Sequence, residues 1–300
     1  MRFVSFRHAG TSRAGVLLGD GAGADDQVLD LAHPAMADAL AGAAPAMAAL
    51  IAGDLRAAAA RISAHGLAEG ARLPLSQVEL LAPYVPERIY ALAFNYRDAL
   101  EERGMAAPAE PVLFMKHAST VVGPGTPILL PPDIGGCTYE VEIAAVIGRR
   151  AEKVDRDAAL GCVAAYAVFN DISASEMIKR DGGFTRGKNL PTFGPLGPFL
   201  ATADEIADPH ALALSLDVDG TRLQDGVSSN LVFDVADLVS WLSHRQPLET
   251  GDLIATGTPA GVAGMRKPPA WLKPGTVVRA RVEGLGTLVN PIAEGAPHGP

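Results

Sequence analysis

The residues best suited to chemistry in this sequence are three carboxylates in two apolar runs. Tyr139-Glu140-Val141-Glu142 opens into Ile143-Ala144-Ala145-Val146-Ile147. A strand alternates its faces with period two, so Glu140 and Glu142 point the same way. Two like charges among apolar neighbours are costly unless something neutralises them, and a divalent cation would do so. A solvated strand face carrying two free glutamates is the alternative. A second apolar run, Ala164-Ala165-Tyr166-Ala167-Val168-Phe169-Asn170, ends in Asp171, where a strand meets a loop. Site residues often stand at such junctions. Asp171 can equally be the N-cap of a following helix. Three carboxylates without a neighbouring histidine make an all-oxygen donor set, which suits Mg²⁺ or Mn²⁺, with Ca²⁺ admissible, over zinc.

Two further segments add polar groups. Phe184-Thr185-Arg186-Gly187-Lys188 precedes a loop stiffened by glycine and proline, residues 189–198. Either cation can offset the acidic trio or hold a substrate carboxylate, and Arg186 is the better bidentate partner. The run Gly251-Asp252-Leu253-Ile254-Ala255 reads as a strand ending in the tight turn Thr256-Gly257-Thr258-Pro259. That turn can present hydroxyls and backbone N–H groups. No H-E-x-x-H, G-x-S-x-G or G-x-x-x-x-G-K-[ST] motif is present. Gly19-Asp20-Gly21-Ala22-Gly23 lacks the strand-to-helix setting of a phosphate loop and reads as a hairpin turn.

The elements that must position these groups are mostly strands. Residues 88–94, 111–116, 126–131, 138–148, 164–170, 211–220, 251–257 and 276–284 have strand character, punctuated by Gly, Pro and Asp. Helical patterns cover only 95–103, 155–162 and 233–244 in that part of the chain. This mixture predicts a β-rich α+β fold and excludes a regular βαβ repeat. Residues 1–80 differ: two short strands around a turn, then an alanine-rich helical stretch over 35–71 interrupted at Pro45 and Gly53. They predict a small N-terminal α+β domain, with residues 81–300 forming the catalytic body.

Composition narrows the function. Of 300 residues, 48% are hydrophobic, enough for a sizeable core without disulfides. Cys137 and Cys162 fit no metal spacing and suggest a reducing compartment. No run reaches signal-peptide or membrane-span length, so a soluble cytoplasmic protein is expected. The 25 basic and 34 acidic residues give a net charge of −9, and no basic stripe interleaved with aromatics offers a footprint for nucleic acid.

Taken in order, these segments resemble the fumarylacetoacetate hydrolase family. The likeness covers roughly residues 85–292. It runs through Asn95-Tyr96, the Glu140/Glu142 strand, Asn170-Asp171-Ile172-Ser173, Lys188, the 192–198 loop, Gln224, the Thr-Gly-Thr-Pro turn and Leu285-Gly286-Thr287-Leu288-Val289-Asn290. The resemblance implies a mixed β-sandwich roll, a homodimer, and Mg²⁺ held by Glu140, Glu142 and Asp171. It implies a small 2-oxo acid as substrate, chelated by a Lewis-acidic metal that stabilises its enolate. Lys188 would steady the developing charge, while Arg186, Gln224, Thr256, Gly257 and Thr258 would shape the substrate site.

The sequence departs from the family in one place that matters. Hydrolytic members show N-Y-x-x-H-x-x-E, whose His and Glu activate water from a lid helix. Here the histidine position is Ala99, while Glu102 remains as the candidate base. His117 can substitute only if it faces the site. The family's arginine after N-D-x-S-A is Ser175, and the Asp two residues before the first Glu is Thr138. The resemblance puts a Mg²⁺-dependent hydrolase of C–C bonds in acylpyruvate-type or 2,4-dioxo acids first. A tautomerase, isomerase or decarboxylase of an enolisable 2-oxo acid is the alternative, because it needs no activated water. A degenerate, non-catalytic binding protein is the third reading.

Overall fold

The computed structural model describes residues 1–21 and 23–297. Its backbone is a twelve-stranded sheet whose main path runs Arg72–Pro74, Gln27–Asp30, Thr11–Leu18, Arg2–His8, Gly194–Thr202, Val163–Asn170, Val141–Ile147, Leu253–Ala255, Ile89–Ala93 and Val112–Lys116. A five-stranded sheet runs Thr221–Val227, Ala213–Val218, Val277–Val282, Gly286–Glu294 and Ile128–Leu130. Most pairings are antiparallel, but Leu253–Ala255 runs parallel to Ile89–Ala93 and Gly286–Glu294 runs parallel to Ile128–Leu130. The fold is therefore mixed, β-rich α+β, as the strand patterns predict.

The central strand Val141–Ile147 is buried on both faces, and its alternation sorts residues into two cores. Val141, Ile143, Ala145 and Ile147 join Leu214, Leu216, Val278 and Ala280 of the smaller sheet. Ala144 and Val146 join a second core with Phe3, Leu29, Leu50 and Ile62 from the N-terminal segment. A strand covered on both sides reads as a continuous apolar run, which is what this one shows.

The expected boundary at residue 80 is not a break in packing. Strand Arg2–His8 pairs directly with Gly194–Thr202, with Phe3 opposite Leu200, so the N-terminal strands extend the main sheet. Helices Met47–Ala52 and Leu55–His65 share the second core with Ala165, Ala167 and Phe169. The Arg56 guanidinium also donates to the Val163 carbonyl at 2.7 Å. The interruptions expected at Pro45 and Gly53 both fall between helices. In the turn at 19–23, Ala22 lies outside the described residues. The Gly21 and Gly23 amides both donate to the Asp26 carboxylate, which fits a connection between strands and no phosphate loop.

The segment read as a stiff loop is a second departure. Gly194–Thr202 is a fully buried strand at the middle of the sheet. Proline is tolerated there because the ladder with Val163–Asn170 slips between Tyr166 and Val168, leaving Pro198 at an irregularity where no N–H is required. Among the described residues no helix is long and apolar enough to cross a membrane.

Candidate metal centre and the cavity beside it

Strand register brings the acids together. Val141 pairs with Asn170, so Glu140 and Asp171 lie just beyond the paired ends of adjacent strands. The Asp171 amide donates to the Glu140 carbonyl at 2.9 Å, and the Glu140 amide donates to Asn170 Oδ1 at 3.0 Å. Each of Glu140, Glu142 and Asp171 offers a carboxylate oxygen within 4.8 Å of the others. Glu142 and Asp171 are fully buried and the Glu140 side chain is 17% exposed. Burial removes the solvated-face alternative. Asp171 is not an N-cap either, because the next helix, Ser175–Asp181, begins at Ala174 without a side-chain cap.

Two lysines meet the trio. Lys188 Nζ donates to Glu140 Oε2 at 2.8 Å and to Asp171 Oδ2 at 2.5 Å. Lys116 Nζ lies 2.7 Å from Asp171 Oδ1, outside hydrogen-bonding directions, and donates to the Lys188 carbonyl. Counted as ionised, three carboxylates against two ammonium groups would leave one uncompensated negative charge in a buried space. Burial, then repulsion from Asp171 and Glu140, holds the Glu142 carboxyl well above the usual carboxylate range. Burial disfavours the Lys188 ammonium, but Asp171, Glu140 and Glu142 outweigh it and hold its pKa above the ordinary lysine value. Lys116 goes the other way: burial and the Lys188 charge depress it against the pull of Asp171.

This donor set fits a hard divalent cation. The oxygens converge, the residual charge is negative, and Glu142 Oε1 is buried without a hydrogen-bond partner. A buried carboxylate oxygen left unpartnered is unfavourable, and a cation would satisfy it. The other oxygen, Glu142 Oε2, accepts from the Gly257 amide at 2.9 Å. Gly257 makes that bond with φ at +92°, and a Cβ there would meet Asn95 Cβ at 3.1 Å and the Leu92 carbonyl at 3.2 Å. Only glycine fits the position.

A cavity of about 430 Å³ opens beside Glu140 and Lys188. Its walls include Phe94 and Phe184. Phe184 stacks on Phe114 with centroids 4.8 Å apart, and Lys188 Nζ sits 5.0 Å from the Phe114 centroid. The helix Arg97–Arg103 turns Ala99, Leu100 and Arg103 to the cavity, and Gly104 ends it at φ +64°.

The expected substrate-site residues divide into two groups. Thr258 lines the cavity, and its hydroxyl donates to the Val141 carbonyl at 2.9 Å. Thr256 is buried, and its carbonyl accepts from Asn95 Nδ2 at 2.8 Å. Gln224 stands behind the wall: its Oε1 accepts from the Val141 amide at 3.0 Å and its Nε2 donates to Thr258 Oγ1 at 2.8 Å. It positions the turn and has no free polar atom for a substrate.

Two candidates are not brought to the cavity. Arg186 is exposed and its guanidinium is held by Asp181, with Nε 2.7 Å from Oδ2. Glu102 is exposed and its Oε2 accepts from the Gly261 amide at 3.1 Å. Each is held by a partner outside the cavity lining: Arg186 by Asp181, and Glu102 by the Gly261 amide, while Ala99, Leu100 and Arg103 are the residues of the Glu102 helix that line the cavity. His117 is exposed as well. Lys116 has no site role in the sequence patterns, and Asn95 enters them only as part of the family likeness. A lysine closing the otherwise apolar strand Val112–Lys116 was the available signal for the first.

Residues 88–293 match the model of the fumarylacetoacetate (FAA) hydrolase C-terminal domain. The chain belongs to the fumarylacetoacetate hydrolase family. It is 40% identical over 230 residues to a mitochondrial oxaloacetate tautomerase of Rattus norvegicus, covering 75% of this chain and 74% of that one. The human mitochondrial oxaloacetate tautomerase FAHD2A is 40% identical over 223 residues, covering 73% of this chain and 71% of that one. Among solved structures, 5-carboxymethyl-2-hydroxymuconate delta-isomerase from Mycobacterium smegmatis matches with a TM-score of 0.77 at 31% identity, covering 98% of this chain and 99% of that one. Maleylpyruvate hydrolase from Sphingobium sp. SYK-6, in complex with manganese(II) and pyruvate, matches with a TM-score of 0.79 at 30% identity, covering 98% and 100%. The family thus spans tautomerases, isomerases and hydrolases, and its name does not choose among them.

Proposed function

We propose that this protein is a divalent-metal-dependent tautomerase or isomerase of an enolisable 2-oxo acid, with Mg²⁺ or Mn²⁺ held by Glu140, Glu142 and Asp171. One observation carries the choice over hydrolysis. The Arg97–Arg103 helix lends Ala99, Leu100 and Arg103 to the cavity lining, while the Glu102 carboxylate is not part of that lining and is held by the Gly261 amide. Cleavage of a C–C bond by water needs a base that activates the water, whereas keto–enol interconversion needs only that the C3 proton pass to and from an acceptor, a role that solvent entering the open cavity can fill. Among the described residues no imidazole lines the cavity. This reverses the order expected from the family pattern, which put the hydrolase first. The relatives named oxaloacetate tautomerase support the same choice. The neighbour holding manganese(II) and pyruvate supports an oxygen-donor metal beside a 2-oxo acid.

A bound cation would supply Lewis-acid polarisation of the 2-oxo group. Around it the chain's own residues bind and orient the substrate. Lys188 stays an ammonium at neutral pH and places positive charge where enolisation builds negative charge. Thr258, fixed by Gln224 and the Val141 carbonyl, offers a positioned hydroxyl at the wall. Phe94, Leu100 and Phe184 give the substrate an apolar wall to pack against. The test is metal-dependent C3 proton exchange on acetylpyruvate without its cleavage.

A further inference from the structure

A second cavity, of about 230 Å³, lies at the far ends of two strands that lead to the metal centre. Arg88 and Asp252 in its wall directly precede the parallel strands Ile89–Ala93 and Leu253–Ala255, beyond whose other ends stand Asn95 and Gly257. Five residues at ~3.3 Å each put roughly 16 Å between the two ends. Among the described residues none lines both this cavity and the one beside Glu140. Its apolar wall comes from Ile51 on the helix Met47–Ala52 and from Tyr84, Val85 and Pro86.

The polar lining is acidic and incompletely paired. Asp252 is already answered: Arg88 reaches it through Nε at 2.8 Å and Nη2 at 2.8 Å, and the Glu249 amide donates to it at 2.8 Å. Glu249 in turn pairs with Arg150, with Oε1 3.1 Å from Nε. Glu87 is exposed and makes no side-chain hydrogen bond or ion pair among the described residues. Tyr84 is only 8% exposed, and its hydroxyl oxygen is buried without a hydrogen-bond partner. Burial, then the Asp252 charge, raises the pKa of that phenol well above the usual tyrosine value, so it is neutral and its hydroxyl end lies towards Asp252. A buried hydroxyl left unpartnered is unfavourable, and a ligand in the cavity would satisfy it.

The charge of such a ligand follows from what is left over. With Asp252 answered by Arg88 and Glu249 by Arg150, Glu87 is the one carboxylate of the lining still open to a ligand. It attracts a cation and repels an anion, and the Tyr84 ring favours a cation as well. The volume is below the ~300 Å³ at which pockets for drug-sized ligands usually begin, so the ligand is small. We propose that this cavity is an accessory binding site for a small organic ammonium. Glu87 pairs with the cation, the Tyr84 oxygen accepts one of its N–H bonds, and a short apolar stem packs on Ile51 and Val85. The site stands apart from the catalytic cavity and does not rest on the tautomerase reading.

The probe is n-butylammonium, compared at constant ionic strength with 1-butanol and pentanoate, which carry the same butyl stem on a neutral and an anionic head. Methyl NMR of isoleucine-labelled protein reads this cavity through Ile51 and the catalytic cavity through Ile178. The ammonium is expected to shift Ile51 saturably and to bind roughly tenfold more tightly than either analogue. Glu87→Gln should weaken it about fivefold or more, and Tyr84→Phe about threefold or more, with thermal unfolding checking that both variants fold. Glu87 has no partner to lose, so its variant decides the matter even where Tyr84→Phe alters stability. Absence of a saturable Ile51 shift overturns the proposal, as does either analogue binding as tightly as the ammonium. Affinity unchanged by Glu87→Gln, or by a folded Tyr84→Phe, overturns it too. A shift of Ile178 without one of Ile51 places the cation in the catalytic cavity and is equally fatal.

Discussion

Lys116 Nζ lies 2.7 Å from Asp171 Oδ1, and neither side chain is exposed to any extent. A buried pair of this kind is balanced between desolvation and attraction, and removing one partner typically costs about 3–5 kcal/mol. Asp171 keeps Lys188 as a second partner, so Lys116→Met is expected to cost less than that in metal-free protein. The same change takes the centre from one to two uncompensated negative charges, so Mg²⁺ affinity should rise. Urea unfolding without metal and calorimetric Mg²⁺ titration read the two effects separately. Unchanged stability together with unchanged affinity would show that Lys116 is not part of the centre.

Glu142→Gln should change sign with metal. Without metal, Glu142 is a buried carboxyl beside two other acids, with Oε1 unpartnered, and burial and repulsion disfavour its charged form. A neutral amide relieves that repulsion and still accepts from the Gly257 amide, so metal-free stability should rise by about 1–3 kcal/mol. In wild type, saturating Mg²⁺ adds stability by mass action, about 2.7 kcal/mol at a hundred times Kd. The variant should lose most of that increment. A variant destabilised without metal, yet stabilised by Mg²⁺ as wild type is, would falsify the ligand assignment.

The trio was legible because strand alternation and apolar context are local properties of 139–147 and 164–171. The register that joins them was not, since it depends on pairing across some thirty residues, 141 with 170. Lys116 is further away still: its strand lies at the end of the sheet path, and only the fold folds its side chain onto Asp171. The strand Gly194–Thr202 was read as a loop because Gly and Pro outweigh burial in a local pattern, and an interrupted ladder hides the conflict. A composition shift near residue 80 says nothing about which strand the N-terminal segment pairs with, and Arg2–His8 pairs with Gly194–Thr202. The family motif marks the helix that carries Glu102, but which of its residues line the cavity is set by how the helix packs and by the Gly261 amide that holds Glu102.

Glu102→Gln tests that placement. A general base lost from a site costs ~10²- to 10⁴-fold in turnover. Glu102 is exposed and bonded to the Gly261 amide, a bond that glutamine can keep. C3 exchange by Glu102→Gln is therefore expected to stay well above a hundredth of wild type, and close to that of Glu101→Gln. A drop of a hundredfold or more for Glu102→Gln alone would mean that the helix turns inward during the reaction and that Glu102 is the base.

The central claim is that this site enolises its substrate without delivering water to a C–C bond. Proton and carbon NMR of acetylpyruvate in D₂O, with purified protein and saturating Mg²⁺, follows both reactions in one sample. Catalysed deuteration at C3, abolished by EDTA and restored by Mg²⁺ or Mn²⁺, with no growth of pyruvate and acetate, is the predicted result. Pyruvate and acetate appearing together at or above the rate of C3 exchange would contradict it, and would show that the cavity activates water without an imidazole on the helix Arg97–Arg103.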